Sequence, residues 1–149
     1  MLCLHGADID PGASEQPDEG DWTDAQRAIL MNVVTFGAMY LSYGYKDIGM
    51  ASHAEASFMD GVEVPYETLE EQRRAETVVP PAATWIFLAG DKIYELCKLG
   101  KLDKGRGFSL GRWAIWKRRF SEIAANERLM RSVTLIAARA AFKMGKIEG

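Results

Sequence analysis

Between Pro80 and Phe120 the chain reads PPAATWIFLAGDKIYELCKLGKLDKGRGFSLGRWAIWKRRF, a stretch holding three of its four tryptophans. On both sides of a glycine-rich loop the apolar residues recur at three- and four-residue spacing, which is the period of a helix face and not of a strand. Trp85, Ile86, Ala89, Ile93, Leu96 and Cys97 form the first stripe, with Asp91, Lys92, Glu95 and Lys98 on the other side. Pro80 and Pro81 bar continuation from upstream and suit a first helical turn, so this helix is predicted to begin there and to stop at Gly100. Gly90, near the seam, leaves room for a second helix to approach. The next helix takes Ser109 as its N-cap, because the hydroxyl can accept from an orphan backbone N–H. Trp113, Trp116, Phe120 and Ile123 form its buried stripe. Two indoles and a phenyl ring on one stripe are a large apolar mass that must be covered, which predicts that both indole-bearing faces turn inward.

The same period continues elsewhere. Thr23 and Gln26 fit a capping box opening a first helix, in which Ile29, Leu30, Val33, Val34, Tyr40 and Leu41 share a wide apolar face. Met31, Phe36 and Met39 extend that face almost all round, which predicts a central helix ended by Gly44. A short helix is predicted over Ile48 to Met59, with Asp47 as N-cap and Gly61 past its end. Thr68 and Glu71 suggest another capping box and a short polar helix from Leu69 to Thr77. Asn126 is placed to cap a last helix carrying Leu129, Val133, Ile136, Ala137, Ala140 and Met144, with Gly145 closing it. No stretch sustains period-two alternation, so no strand is expected. The predicted fold is all-α, a compact bundle of about five helices spanning 22–149, preceded by a flexible acidic lead-in over 1–21.

A chain of 149 residues suits one domain with a core of its own. Its most apolar run, Ala28 to Leu41, is shorter than the roughly 20 residues a bilayer span needs, so no membrane association is expected. Cys3 and Cys97 lie far apart and form no disulfide framework, and no secretory signal opens the chain; a cytoplasmic setting follows as the expectation. Charge is uneven. Residues 1–91 carry 4 Lys or Arg against 16 Asp or Glu, and residues 92–149 carry 14 against 5, formal charges of −12 and +9. Such a split marks either a basic binding face or two halves that attract one another; the total of −3 favours mutual attraction.

Candidate chemistry is sparse. The two histidines, His5 and His53, have no nucleophile elbow beside them, and His53, Glu55 and Asp47 match no metal-ligand spacing, so neither metal nor cofactor is expected. Asp91 and Glu95 share a helix face one turn apart, but Lys92 and Lys98 beside them make a solvated mixed-charge face the better reading. The loop Gly100 to Gly107 resembles a phosphate cradle only superficially, since Arg106 and Gly107 stand where Lys and Ser or Thr belong and no strand leads into it. Its backbone N–H groups ahead of a helix could still hold an anion, though a connector is the simpler reading. Trp113, Trp116, Lys117, Arg118 and Arg119 interleave rings with bases, but the rings share the buried stripe and the pI is acidic, so nucleic acid is not expected. What remains is a pocket: Phe36, Tyr40, Trp85, Trp113 and Trp116 could line one, with Asn32, Asp91 and Tyr94 as its polar members, to take an apolar small molecule. A filled core is the alternative.

Three blocks carry a resemblance. Asn32 and Phe36 within NVVTFGAMYLSYGYKDIG, Pro81 through Ile86 within VPPAATWIF, and Phe108 through Trp116 within GFSLGRWAIW stand in an order that resembles a large group of fungal proteins of unknown function. These typically show an Asn-x-x-x-Phe helix, an Asp-hydrophobic segment (here Asp47 and Ile48), a Pro-Ala-Ala-x-Trp-Ile helix and a Phe-Ser-Leu-x-Arg-Trp-x-x-Trp helix. The likeness covers about residues 22–145. It implies an all-helical intracellular fungal domain and brings no catalytic mechanism. Members usually carry further helices ahead of the Asn-x-x-x-Phe element, where this chain has its acidic lead-in. The expectation is a truncated or divergent member whose first helix exposes apolar surface to a partner. Two functions follow from the sequence: a helical interaction or ligand-binding module, as a homodimer or with a protein partner, or a small cofactor-free cyclase or isomerase of fungal secondary metabolism built on the aromatic pocket. An enclosed cavity with converging polar groups would favour the enzyme, and a filled core with a bare apolar face the interaction module.

Overall fold

A computed structural model describes residues 22–44, 48–100, 102–103 and 106–149. The predicted lead-in over 1–21 and the N-cap assigned to Asp47 lie outside the described residues.

Five helices account for most of the described chain: α1 (Asp24–Ser42), α2 (Ile48–Gly61), α3 (Leu69–Leu99), α4 (Leu110–Ala124) and α5 (Arg131–Glu148). The all-α bundle is what the spacing of apolar residues requires. Both capping boxes form. The Thr23 N–H donates to Gln26 Oε1 at 2.7 Å and the Gln26 N–H to Thr23 Oγ1 at 3.2 Å; Thr68 and Glu71 repeat the exchange at 2.8 and 3.1 Å. Ser109 caps α4 by accepting from the Arg112 N–H at 3.0 Å. Gly100 ends α3 in the left-handed conformation, φ +65°.

The centre of the molecule differs from the sequence expectation. Residues 69–77 and 80–99 are not two helices but one, the 31-residue α3, which carries Pro80 and Pro81 in its interior. A proline inside a helix removes a hydrogen bond and costs about 3 kcal/mol. Packing outweighs that here, because Val78, Val79 and Pro81 through Ile86 are all buried under α1, α2 and α5. The end of α2 rests on this segment so closely that a Cβ on Gly61 would overlap the Val78 carbonyl. The long α3, and not α1, is therefore the central helix.

α1 runs parallel to α3. Arg27 Nε donates to Thr77 Oγ1 at 3.3 Å near one end, Gly37 abuts Trp85 midway, and Gly44 nears Lys92 at the other end. α4 returns towards the start of α3, where Asn126 Nδ2 donates to the Tyr66 carbonyl at 3.3 Å. α5 then climbs beside α3 until Ile147 meets Gly90, the close approach that this glycine was expected to permit.

Two boundaries of α5 also differ from expectation. Asn126 does not cap it; its Oδ1 accepts from the Arg128 N–H at 3.0 Å within the preceding turn, and the helix starts after Met130, which makes no side-chain cap. Gly145 does not close it, because α5 continues to Glu148, whose carboxylate has partners on α4. A two-residue antiparallel ladder, β1 (Leu102–Asp103) against β2 (Arg106–Gly107), sits in the loop before α4. Two residues per strand are too few to show alternation in a sequence.

Candidate interaction surface

Three indoles anchor the core, each completely enclosed and each with its N–H bonded. Trp85 Nε1 donates to Ser57 Oγ at 3.0 Å, Trp116 Nε1 to Glu63 Oε1 at 2.7 Å, and Trp113 Nε1 to Glu148 Oε1 at 2.7 Å. A buried indole needs such an acceptor, and α2, the segment after it, and the last residue of α5 supply one each. Trp116 also packs on Phe58 at a centroid distance of 4.4 Å and takes the edge of Phe108 at 6.0 Å. Trp113 packs on Tyr94 at 4.9 Å.

Arg112 knits this layer together. Its guanidinium pairs with Glu55, holds Glu63 Oε1 at 2.8 Å, donates to the Gly107 carbonyl at 2.8 Å and lies over the Trp116 ring at 5.2 Å. These pairs join the acidic and basic parts of the chain, as the charge split predicted. Burial alone would push the Glu63 carboxyl up; the hydrogen bonds from Arg112 and Trp116 and the guanidinium charge outweigh it and hold its pKa below the usual carboxylate range. Lys117 draws the Glu148 carboxyl down in the same direction, against slight burial and with help from Trp113. The Gly107 N–H, part of the loop considered as an anion cradle, donates to the Glu55 carboxylate. That one N–H is thus already taken by a side chain of the protein itself.

The outer side of α1 is different. Val34, Gly37, Ala38 and Leu41 face the core. Ile29, Val33, Phe36 and Tyr43, on the opposite side, are 64, 64, 68 and 74 % exposed. With Tyr40, half-buried and stacked on Phe36 at 6.4 Å, they fall at alternating four- and three-residue intervals, the spacing of a coiled-coil seam. From Ala28 to Ser42 the helix contains no charged residue. Together these side chains make a line of exposed apolar surface along the outer side of α1.

The eight residues proposed for a pocket fall into separate places. Trp85, Trp113 and Trp116 are enclosed, Tyr94 is half-buried against Trp113, Asn32 and Phe36 are exposed on α1 with Tyr40 at their side, and Asp91 is exposed on α3. Two open depressions, about 280 Å³ beside Tyr66 and Asn126 and about 610 Å³ beside Ser109 and Ile115, include none of the eight. His53 is exposed on α2, and Asp91 and Glu95 are exposed as well, with Glu95 3.6 Å from Lys92. Burial pushes the Cys97 thiol up to about 12, against the opposing pull of Ser109 and Arg112, which leaves it a poor nucleophile. Among the described residues no three His, Cys, Asp or Glu side chains converge as metal ligands, and no helix is long and apolar enough to cross a membrane.

A family model described as a protein of unknown function, DUF3632, matches residues 6–120. The chain belongs to this family. No curated protein and no solved structure matches it. The DUF3632 match takes in the α1 stripe and the Arg112 cluster and ends at Phe120 within α4. Sequence reading identified the indoles of this DUF3632 domain but missed Arg112, Glu55, Glu63 and Glu148. The signal available was the rule that a buried indole needs an acceptor; which carboxylate answers each one depends on tertiary contacts.

Proposed function

We propose that this DUF3632 domain is a non-catalytic helical interaction module whose working surface is the outer stripe of α1, covered by a helix from another chain. The observation that carries this reading is the exposure of Ile29, Val33, Phe36 and Tyr43 along one uncharged line of a folded helix. Two further features support it: the indoles that might have lined a pocket have their N–H groups bonded within the core, and the depressions near them are open. The buried unpaired Cys97 fits a reducing intracellular setting. The likeness of the Phe108-to-Trp116 block to the fungal helical group agrees with a structural role, since Phe108, Ser109, Arg112, Trp113 and Trp116 all have packing or capping partners.

In-cell photo-cross-linking tests the reading. A photoreactive phenylalanine at position 36 is expected to give cross-links to another polypeptide chain that disappear when Val33 is changed to Asp. The same probe at Leu69, an isolated exposed apolar residue on α3, serves as control. Equal yields at the two positions, or cross-links indifferent to Val33→Asp, would overturn the assignment of α1.

A further inference from the structure

Building on that reading of α1, we infer that the occupant of its outer stripe is a second copy of this chain, packed antiparallel across a two-fold axis at Phe36. Three observations lead there.

The first is symmetry of spacing. Ile29 lies seven residues before Phe36 and Tyr43 seven after, so an antiparallel copy centred on Phe36 sets Ile29 of each protomer opposite Tyr43 of its partner. Val33, three residues before the axis, then meets the partner helix near Met39 and Tyr40. The stripe is graded in size, with aliphatic side chains towards its N-terminal end and tyrosines towards its C-terminal end. On either side of the Phe36 pair at the axis, antiparallel packing puts large against small, the arrangement in which facing side chains interdigitate. Parallel packing would instead stack Tyr43 on Tyr43 and leave a gap at Ile29.

The second is charge. A surface that faces a copy of itself must carry no net charge along its contact line, and α1 has none between Ala28 and Ser42. Its two charged residues, Asp24 and Arg27, sit in the first turn and are paired with each other at 2.9 Å. In an antiparallel pair the opposed helix dipoles add to the attraction.

The third is area. Ile29 to Tyr43 spans about 21 Å of helix. The exposed side chains on that length offer on the order of 600 Å² of apolar surface. With a polar rim that includes Asn32 this approaches the roughly 800 Å² per partner of a stable complex.

Site-directed disulfides in the full chain test the arrangement, in a Cys3→Ser background so that only introduced thiols react. Phe36→Cys is expected to form an intermolecular disulfide under mild oxidation. Tyr43→Cys alone is expected to form none, whereas Ile29→Cys combined with Tyr43→Cys cross-links. Sedimentation velocity of the unmodified chain should show a dimer, and Val33→Asp, a substitution on the exposed face of the protomer, should weaken self-association at least about tenfold while leaving the far-UV helical signal unchanged. A monomer at roughly 100 μM, or Tyr43→Cys pairing with itself, overturns the inference. So does cross-linking from position 36 to residues 1–21 of the same chain. Cross-links from position 36 to a different protein, with the purified chain monomeric, would remove the second copy but leave the interaction-module reading standing.

Discussion

α1 and α4 are both rich in apolar side chains, yet the bundle uses them in opposite ways. α4 turns Trp113, Trp116, Phe120 and Ile123 inward and ties its flank down through Arg112, Lys117 and Arg119. α1 buries Val34, Gly37, Ala38 and Leu41, packs Leu30 partly against the core, and leaves Ile29, Phe36 and Tyr43 in water. Its polar ties lie mainly in the first turn, where Arg27 reaches Asp24, Glu76 and Thr77. The lesson is that apolar mass alone does not say where a helix sits. What places a large residue inside is the availability of a neighbour and, for an indole, of an acceptor for its N–H.

The comparison can be pressed from its strongest contrast downwards. Trp116→Ala removes a fully enclosed ring and leaves Glu63 without one donor, and should cost about 3–5 kcal/mol by urea unfolding. If it cost no more than an exposed substitution, the indole layer would not be the core. Arg112→Met should follow at about 2–3 kcal/mol, because the half-buried Glu55 and the more exposed Glu63 both lose their cationic partner and keep only the Gly107 and Trp116 N–H donors. Restoration of stability by Glu55→Gln together with Glu63→Gln in that background would confirm the cause.

Glu148→Gln, which weakens the hold of α5 on Trp113 and Lys117, should cost about 1 kcal/mol or less, since this carboxylate is largely in water. The pH dependence follows in sign. Glu63 and Glu148 both have folded pKa values below the ordinary value of about 4.3, so the stability they contribute is complete above that pH and is lost as pH falls through the folded values. The unfolding midpoint should therefore drop in acid, and it should drop less in the Glu63→Gln, Glu148→Gln double variant than in the wild type. The smallest effect belongs to α1: Val33→Asp should change the stability of an isolated protomer by no more than about 0.5 kcal/mol. A loss comparable to that of Trp116→Ala would mean that the stripe is covered within one chain, and the contrast with α4 would collapse.

Particular residues show how much was legible beforehand. Thr23, Thr68, Ser109 and Gly100 announced helix ends through local chemistry, and each does what its residue type suggested. Pro80 and Pro81 misled, because a break is only the local preference and three packed helices overrode it. Asn126 misled in a similar way: an asparagine that can cap can also build a turn, and the bond to the Tyr66 carbonyl, sixty residues away in sequence, favours the turn. For the site, exposed apolar surface on helix one was expected only through the resemblance to a longer family, while its all-round apolar composition pointed to a central helix; of the polar pocket candidates Tyr94 does pack on Trp113, whereas Asn32 and Asp91 are exposed on α1 and α3.

By itself, the sequence determined the helical class, the helix ends at Thr23, Thr68, Ser109 and Gly100, the inward turn of the three indoles and the excess of apolar residues in α1. These follow from period, side-chain volume and hydrogen bonds that span three or four residues, all of them properties of a short length of chain. Tertiary structure decided that α3 runs unbroken through two prolines, that Glu63, Glu148 and Ser57 answer the indoles, and that α1 lies at the edge with its larger face outward. Each of those outcomes is a competition between neighbours distant in the chain, and the energy that settles it exists only once they are packed together.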